Sequence, residues 1–322
     1  MAKEIELKLR ATEKDLQALA VWLDQQASQG IRASGSKALL NDYYDTPEFG
    51  LAKPRAALRI RSTGDAFEQT FKTQRKADSA VQVRNEWNWP RSERALDTSL
   101  LISGEAAEYW PESVSVDELG VVFSTDFERR RWLCTEGNST IEVVIDSGAV
   151  KAGEQEEPLC ETELELQSGD PADMWTLLAK MQAQVPLWLS DVSKAERGYR
   201  LAGGETRPAY RASETPLDDV FNLQRAVEAF LFAGEPGVAV RGYGQSLAKL
   251  LPADDCAVAL SLFNSFTEHA PASLVANSTQ AAALTQVCRA VADVITAVPH
   301  ADVNTFNERW LQARSRQADM VE

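Results

Sequence analysis

Glu4-Ile5-Glu6-Leu7-Lys8-Leu9 alternates charged and apolar residues with a strict period of two. Only extended backbone places every second side chain on one face, so this stretch predicts a β-strand. Glu4, Glu6 and Lys8 share one face, roughly 6.7 Å apart along the chain. Ile5, Leu7 and Leu9 share the other. Taken alone, such a strand would show its charges to water above an ordinary core.

The same alternation recurs down the chain. Residues 57–62 put Arg59 and Arg61 on one face, and residues 67–73 put Glu68, Thr70 and Lys72 together. Residues 83–89 align Arg84, Glu86 and Asn88. In residues 123–135, Arg129 and Arg131 share a face, while Arg130 joins Trp132 and Cys134 on the other. Residues 141–146 end in Asp146 before Gly148, and residues 160–166 align Glu161, Glu163 and Glu165. Residues 37–46 read as a further strand, ended by Thr46-Pro47.

Helical spacing separates these strands. Thr12 with Asp15 three positions on predicts a capped helix start, followed by Leu16, Leu19, Ala20 and Leu23, with Gly30 as the stop. Residues 92–120 carry no strand pattern and predict a helix or two. Asp170-Pro171 predicts a helix through Leu178 and Met181. Asp191 opens a short helix in which Lys194 and Arg197, three apart, lie on one face. Residues 203–216 are a linker by composition. Beyond them alternation stops, and 217–232, 243–251, 254–270, 272–298 and 302–318 read as helices. The expected division is therefore 1–202, a linker at 203–216, and an all-helical unit at 217–322.

The charges are sorted by sign. Glu4, Glu6, Glu161 and Glu163 come from the terminal strands; Arg59, Arg61, Lys72, Arg129 and Arg131 come from the middle ones. Helices between the strands need apolar surface, and the apolar faces are the ones they can cover. A barrel with a charged interior and helices outside satisfies both conditions; a sandwich with a solvated charged face is the alternative. Carboxylates crowded in an interior repel one another unless a cation joins them. With His269 and His300 the only histidines and no CxxC pair among Cys134, Cys160, Cys256 and Cys288, oxygen ligation predicts Mg²⁺ or Mn²⁺. The basic half suits an extended multiply charged anion such as a polyphosphate chain. No GxxxxGK[ST] loop and no GxGxxG turn is present, so side chains must bind the phosphates.

Net charge is -15 over 322 residues, which argues against nucleic-acid or anionic-membrane partners. There is no signal-peptide pattern at Met1-Ala2-Lys3-Glu4 and no run of 18 apolar residues, so a cytoplasmic protein is expected.

The Glu4-x-Glu6-x-Lys8 motif resembles the CYTH domain, the family of triphosphate tunnel metalloenzymes. Further resemblances follow in order: Tyr43-Tyr44-Asp45, Leu58-Arg59-Ile60-Arg61, Glu68-x-Thr70-x-Lys72, Arg84-x-Glu86, Asp126-Phe127-x-Arg129-x-Arg131, Glu142-x-x-x-Asp146-x-Gly148, Cys160-Glu161-x-Glu163 and Ser193-Lys194-x-x-Arg197-Gly198-Tyr199. They run from residue 1 to about 202. The chain is most similar to the bacterial inorganic triphosphatase type, with a degenerate CHAD-like helical C-terminal region.

The resemblance implies an α+β fold: an eight-stranded antiparallel β-barrel enclosing a tunnel, helices packed outside, and a small all-α C-terminal domain. It implies Lys8, Arg59, Arg61, Lys72, Arg84, Arg129, Arg131, Lys194 and Arg197 as triphosphate ligands. Glu4, Glu6, Asp146, Glu161 and Glu163 would hold Mg²⁺ or Mn²⁺, and Glu4, Glu6, Lys8 and Lys72 would form the catalytic set. Glu86 and Glu165 continue the rows with their roles open. The implied reaction is hydrolysis of inorganic triphosphate to pyrophosphate and phosphate. Alternatives are a nucleoside or thiamine triphosphatase, a class IV-type adenylyl cyclase, and a non-catalytic polyphosphate-binding module. The C-terminal part departs from the CHAD pattern: it is short, acidic on balance, and its two histidines stand alone. A packing or dimerisation role is expected for it, so a homo-oligomer stays open.

Overall fold

Among the described residues, period-two alternation resolves into nine antiparallel strands. The computed structural model describes residues 5–54, 56–73, 85–190, 192–203 and 216–296. The strands are β1 (Glu6–Arg10), β2 (Ile31–Asp45), β3 (Ala57–Thr63), β4 (Ala66–Lys72), β5 (Glu86–Arg91), β6 (Gly120–Glu136), β7 (Ser139–Ala152), β8 (Gln155–Ser168) and β9 (Trp188–Leu189). They hydrogen-bond in the order β5-β4-β3-β2-β6-β7-β8-β1-β9. Nine strands therefore stand among the described residues where eight were expected; the two-residue β9 extends the β1 edge through Leu9 and Arg10. No ladder joins β5 to β9 among the described residues.

Register fixes which side chains share a face. Arg129 stands opposite Asp146, and Asp146 opposite Glu161. Lys8 stands opposite Glu163, and Arg59 opposite Tyr43. Opposed residues point the same way, so one parity runs across the sheet and gathers the charges on one side. The other side is apolar and covered. Helices α1 (Glu13–Gln25) and α3 (Pro171–Gln182) lie in one core cluster with Leu9, Trp132, Ile141, Val143 and Leu164. Leu58 and Phe71 are sealed by Leu51, Leu101 and Val114 from the connecting segments. Each such side chain contributes roughly 2 kcal/mol by leaving water.

Local chemistry sets the helix ends. Thr12 caps α1, its side chain accepting from the Asp15 N–H at 3.2 Å. Gly30 stops the segment at φ 83°, a left-handed value that glycine adopts without strain. The chain then enters β2 at once, six residues before the alternation becomes visible. Residues 32–38 are exposed on both faces, and a register shift between Ala33 and Gly35 breaks the period. Residues 92–120 hold only α2 (Ser99–Ile102) and two 3₁₀ turns rather than longer helices. Ser193, not Asp191, caps α4 (Lys194–Leu201), accepting from the Glu196 N–H at 3.1 Å.

The remaining helices among the described residues are α5 (Pro216–Ala233), α6 (Val238–Ala248), α7 (Ala253–Glu268), α8 (Pro271–Val275) and α9 (Ser278–Thr296). The helix expected over 272–298 is split into α8 and α9, because Asn277 accepts from the Gln280 N–H at 3.1 Å and starts a new helix. The helix expected over 302–318 lies outside the described residues. Leu223, Val227, Phe230, Phe263 and Phe266 belong to the same core cluster as Leu9 and Trp188. Trp188 Nε1 donates to the Val275 carbonyl at 3.1 Å, and Gln182 donates to Thr285 Oγ1 at 2.9 Å.

A buried ion network crosses the same junction. Arg10 Nη1 reaches Glu228 Oε1 of α5 at 2.7 Å, and Arg197 Nη2 reaches the same oxygen at 3.0 Å. Burial pushes the Glu228 carboxyl up, but Arg197, Arg10 and a hydrogen bond from Ser190 outweigh it and hold it below the ordinary 4.5. A depressed carboxylate contributes stability that is complete above its ordinary value and is lost as pH falls below it. Glu228→Gln should therefore cost about 3 kcal/mol at neutral pH. The melting-temperature gap to the wild type should be largest above about pH 5 and close as pH falls further; a pH-independent gap would refute the assignment.

Candidate active site

The inner face of β1, β6, β7 and β8 converges on three carboxylates. Asp146, Glu161 and Glu163 each offer an oxygen, and these oxygens lie within 4.8 Å of one another. Asp146 and Glu161 are wholly buried. Three cations hold them together. Arg129 donates to Asp146 through two bonds of 2.7 Å and to Glu163 at 3.0 Å. Lys8 Nζ lies 3.4 Å from Glu163. Lys194 Nζ contacts all three, at 2.7 Å from Asp146, at 3.3 Å from Glu163, and in direct contact with Glu161.

The charge states follow. Burial pushes the Glu163 carboxyl up, but Lys194, Lys8 and Arg129 outweigh it and hold it well below the usual carboxylate range. Burial would lower the Lys194 ammonium, but Glu161, Glu163 and Asp146 drive it well above its ordinary value. Lys8 moves the same way, with Glu161 and Glu163 outweighing burial. Glu163, Lys194 and Lys8 are thus each held in the charged form by the others.

A second group lies on β2 and β3. Arg61 Nε donates to Asn41 Oδ1 at 2.9 Å, and Asn41 donates to Thr125 at 2.9 Å. Burial first, then the neighbouring Arg59, pushes the Arg61 guanidinium down to about 10. Burial raises the Tyr43 hydroxyl, but Arg59 and Arg61 outweigh it and lower it. Arg59 Nε and Arg131 Nε are buried without a hydrogen-bond partner. This half has cations in excess and donors to spare. Arg61 stands opposite Asn41 and Asn41 opposite Thr125, which has the parity of Arg129, so the basic group and the carboxylates lie on one face of the sheet.

The other expected residues fall as follows. Glu6 stands opposite Glu165, which stands opposite Glu142, a second row of carboxylates one step along the face. Arg131 lies 3.8 Å from Glu142. Lys72 pairs with Glu86 at 2.6 Å, and Asn88 donates to Glu86 at 3.1 Å. Arg197 is wholly buried behind Glu161, with its Nη2 3.6 Å from Oε2. Glu4 and Arg84 lie outside the described residues, as does His300; His269 Nδ1 lies 3.1 Å from the Ser265 carbonyl, far along the chain from this cluster. Arg10, Asn41 and Glu157 also belong to this face and were not singled out from sequence. Each extends a recognised row by two or four residues, which is the signal that could have found them.

The donor set fits a hard divalent cation. It is all oxygen, three carboxylates converge, Glu161 Oε2 is buried without a hydrogen-bond partner, and the Lys194 ammonium already shows that the spot accepts a cation.

Residues 2–199 match the CYTH domain family, and the chain belongs to that family. Over 202 residues it is 35% identical to the inorganic triphosphatase of Haemophilus influenzae, which covers 62% of this chain. The match spans 55% of that relative, so the chain covers about half of its length. Among solved structures, a putative adenylyl cyclase from Hippeastrum with a dominant triphosphatase activity is 19% identical, with a TM-score of 0.44, covering 63% of this chain and 97% of its own. A putative adenylate cyclase from Bacillus halodurans is 20% identical, with a TM-score of 0.40, covering 61% and 98%.

Helix α4 delivers Lys194 only because Gly198 lets it approach the sheet. A Cβ there would sit 2.0 Å from the Phe123 ring. Gly198→Ala should cost about 2 kcal/mol or more through overpacking. It should also draw Lys194 off the carboxylates, which a melting curve and a structure of the variant would show. An unchanged melting temperature would contradict this account.

Proposed function

We propose that this chain hydrolyses inorganic triphosphate to pyrophosphate and phosphate, with Mg²⁺ or Mn²⁺. The observation that carries the reading is the pairing, across one face, of a three-carboxylate cluster with an arginine group in excess of its counterions. A pure anion binder gains nothing from carboxylates facing its ligand. The 35% identical relative named as an inorganic triphosphatase supports the same substrate.

In this proposal Asp146, Glu161 and Glu163, with Glu6 and Glu4, hold the metal. A bound divalent cation supplies charge neutralisation on the phosphates and a water of lowered pKa. Arg59 and Arg61 are held by Tyr43 and Asn41, so their forks are fixed before substrate arrives. They take the phosphate oxygens with bidentate geometry, joined by Arg131, Lys72 and Arg84. Arg129, on β6 between the arginine strands and the carboxylate strands, and Lys8, beside Glu163, stabilise the charge that builds as the terminal P–O bond breaks. Water adds to the terminal phosphorus, pyrophosphate leaves, and the proton of the water passes to solvent. The four cysteines, free among the described residues, and the absence there of any helix long and apolar enough to cross a membrane accord with a cytoplasmic setting, which is part of the proposal.

Phosphate release from tripolyphosphate and from ATP, measured side by side with Mg²⁺ or Mn²⁺, tests the substrate. Tripolyphosphate should turn over faster, and a chelator should abolish the rate. Faster ATP turnover or formation of cyclic AMP would overturn the assignment. Glu6→Gln should abolish turnover while tripolyphosphate still raises the melting temperature. Arg59→Ala should lower kcat/KM by about 10- to 100-fold, the worth of a charge-assisted bond. Wild-type kinetics in either variant would remove that residue from the site.

A further inference from the structure

The inner-face parity continues past the carboxylate cluster into the buried interior. Glu161, Arg197, Arg10 and Glu228 are all buried there. Arg197 comes from α4, one turn beyond Lys194, and Glu228 comes from α5 of the C-terminal helices. Among the described residues, the ion pairs of Arg197 are with Glu228 at 3.0 Å and with Glu161 at 3.6 Å. Its Nε, Nη1 and Nη2 make no geometrically sound hydrogen bond. The guanidinium is therefore placed by charge alone, between two carboxylates, and it lies nearer Glu228.

That balance matters for Glu161. A guanidinium this buried must lean on some anion. Glu228 is held for the purpose: Arg10 bonds its Oε1 at 2.7 Å, and Ser190 Oγ donates to its Oε2. Arg10 is itself fixed by Glu157 at 3.0 Å and by the Phe232 ring at 4.5 Å. With Glu228 present, Glu161 Oε2 keeps its lone pairs, for it accepts no hydrogen bond. Without Glu228, the nearest charge left to Arg197 is Glu161.

We propose that Glu228 is a positioning residue for the metal centre: it holds Arg197 away from Glu161 and so keeps that carboxylate free to take a divalent cation. The C-terminal helices thereby set metal affinity without touching metal or substrate. The inference rests on Glu161 being a metal ligand, as proposed above. Residues that orient ligands commonly change metal affinity by about 10- to 100-fold when altered.

The test is Mn²⁺ binding to the full chain without substrate, followed by electron paramagnetic resonance, alongside tripolyphosphate hydrolysis against Mn²⁺ concentration. Glu228→Gln should weaken Mn²⁺ binding by about tenfold or more and shift the half-saturating Mn²⁺ for turnover by the same factor. KM for tripolyphosphate at saturating Mn²⁺ should change less than about twofold. Glu228→Asp should fall between, and it decides the matter if the Gln variant does not fold. Val227→Ala, a buried neighbour in the same helix, should lower the melting temperature and leave Mn²⁺ binding unchanged. Adding Arg197→Met to Glu228→Gln should restore Mn²⁺ binding, because it removes the charge that Glu161 would otherwise neutralise. Wild-type Mn²⁺ affinity in the Glu228 variants, equal weakening in Val227→Ala, or no rescue in the double variant would each overturn the inference. Failure of the wild type to hydrolyse tripolyphosphate while binding Mn²⁺ would instead remove the proposed function and leave this inference standing.

Discussion

Three carboxylates within 4.8 Å, two of them wholly buried, would not stay ionised together without positive charge among them. Lys194 is the side chain that touches all three, and Lys8 and Arg129 close the arrangement on either side. Losing one partner from such a buried set costs several kcal/mol, more than the burial of a leucine. The sheet register, the capped start of α4 at Ser193 and the missing Cβ of Gly198 all serve to bring that ammonium to the carboxylates. The cluster is held by cations as folded, and its oxygen donors suit a divalent ion as well. These are one property, since a divalent ion and an ammonium answer the same electrostatic need.

The inner face was legible because a strand has only two faces. Once Glu4, Glu6 and Lys8 set a parity, each later strand needed one further assignment, and the sorting of acidic from basic residues supplied it. Register then brought Lys8 to Glu163, Arg129 to Asp146 and Asp146 to Glu161. Strand ends were less legible. The first residues of β2 are polar on both faces and pass through a register shift, so alternation has nothing to report there. The two residues of β9 are too few to show any period. The break between α8 and α9 depends on one capping asparagine inside an otherwise continuous apolar pattern.

Glu228 was illegible for a different reason. It stands on an amphipathic helix among Leu223, Val227 and Leu231, where a single acid reads as an ordinary solvated position. Its partners, Arg10 and Arg197, lie more than 200 and about 30 positions away. No periodicity connects charges from a strand and two helices; only the folded chain does. Arg10 carried a weak signal, since it continues the parity of Glu6 and Lys8, but a row of charges does not reveal where the half-exposed part of that face ends and the buried interior begins.

Helix α4 joins these two environments. Lys194 and Arg197 are three residues apart and project on the same side, one toward the carboxylate cluster and one into the network with α5. Both reach Glu161, so its two oxygens report on different neighbours: one meets the ammonium, the other faces the guanidinium. A carboxylate placed this way cannot shift toward one side without changing the other. The docking of the C-terminal helices, which fixes Glu228, and the charge state of the inner face, which fixes Lys194, are therefore balanced on a single side chain. The close approach of α4 to Phe123 at Gly198 fixes the distance over which that balance is struck.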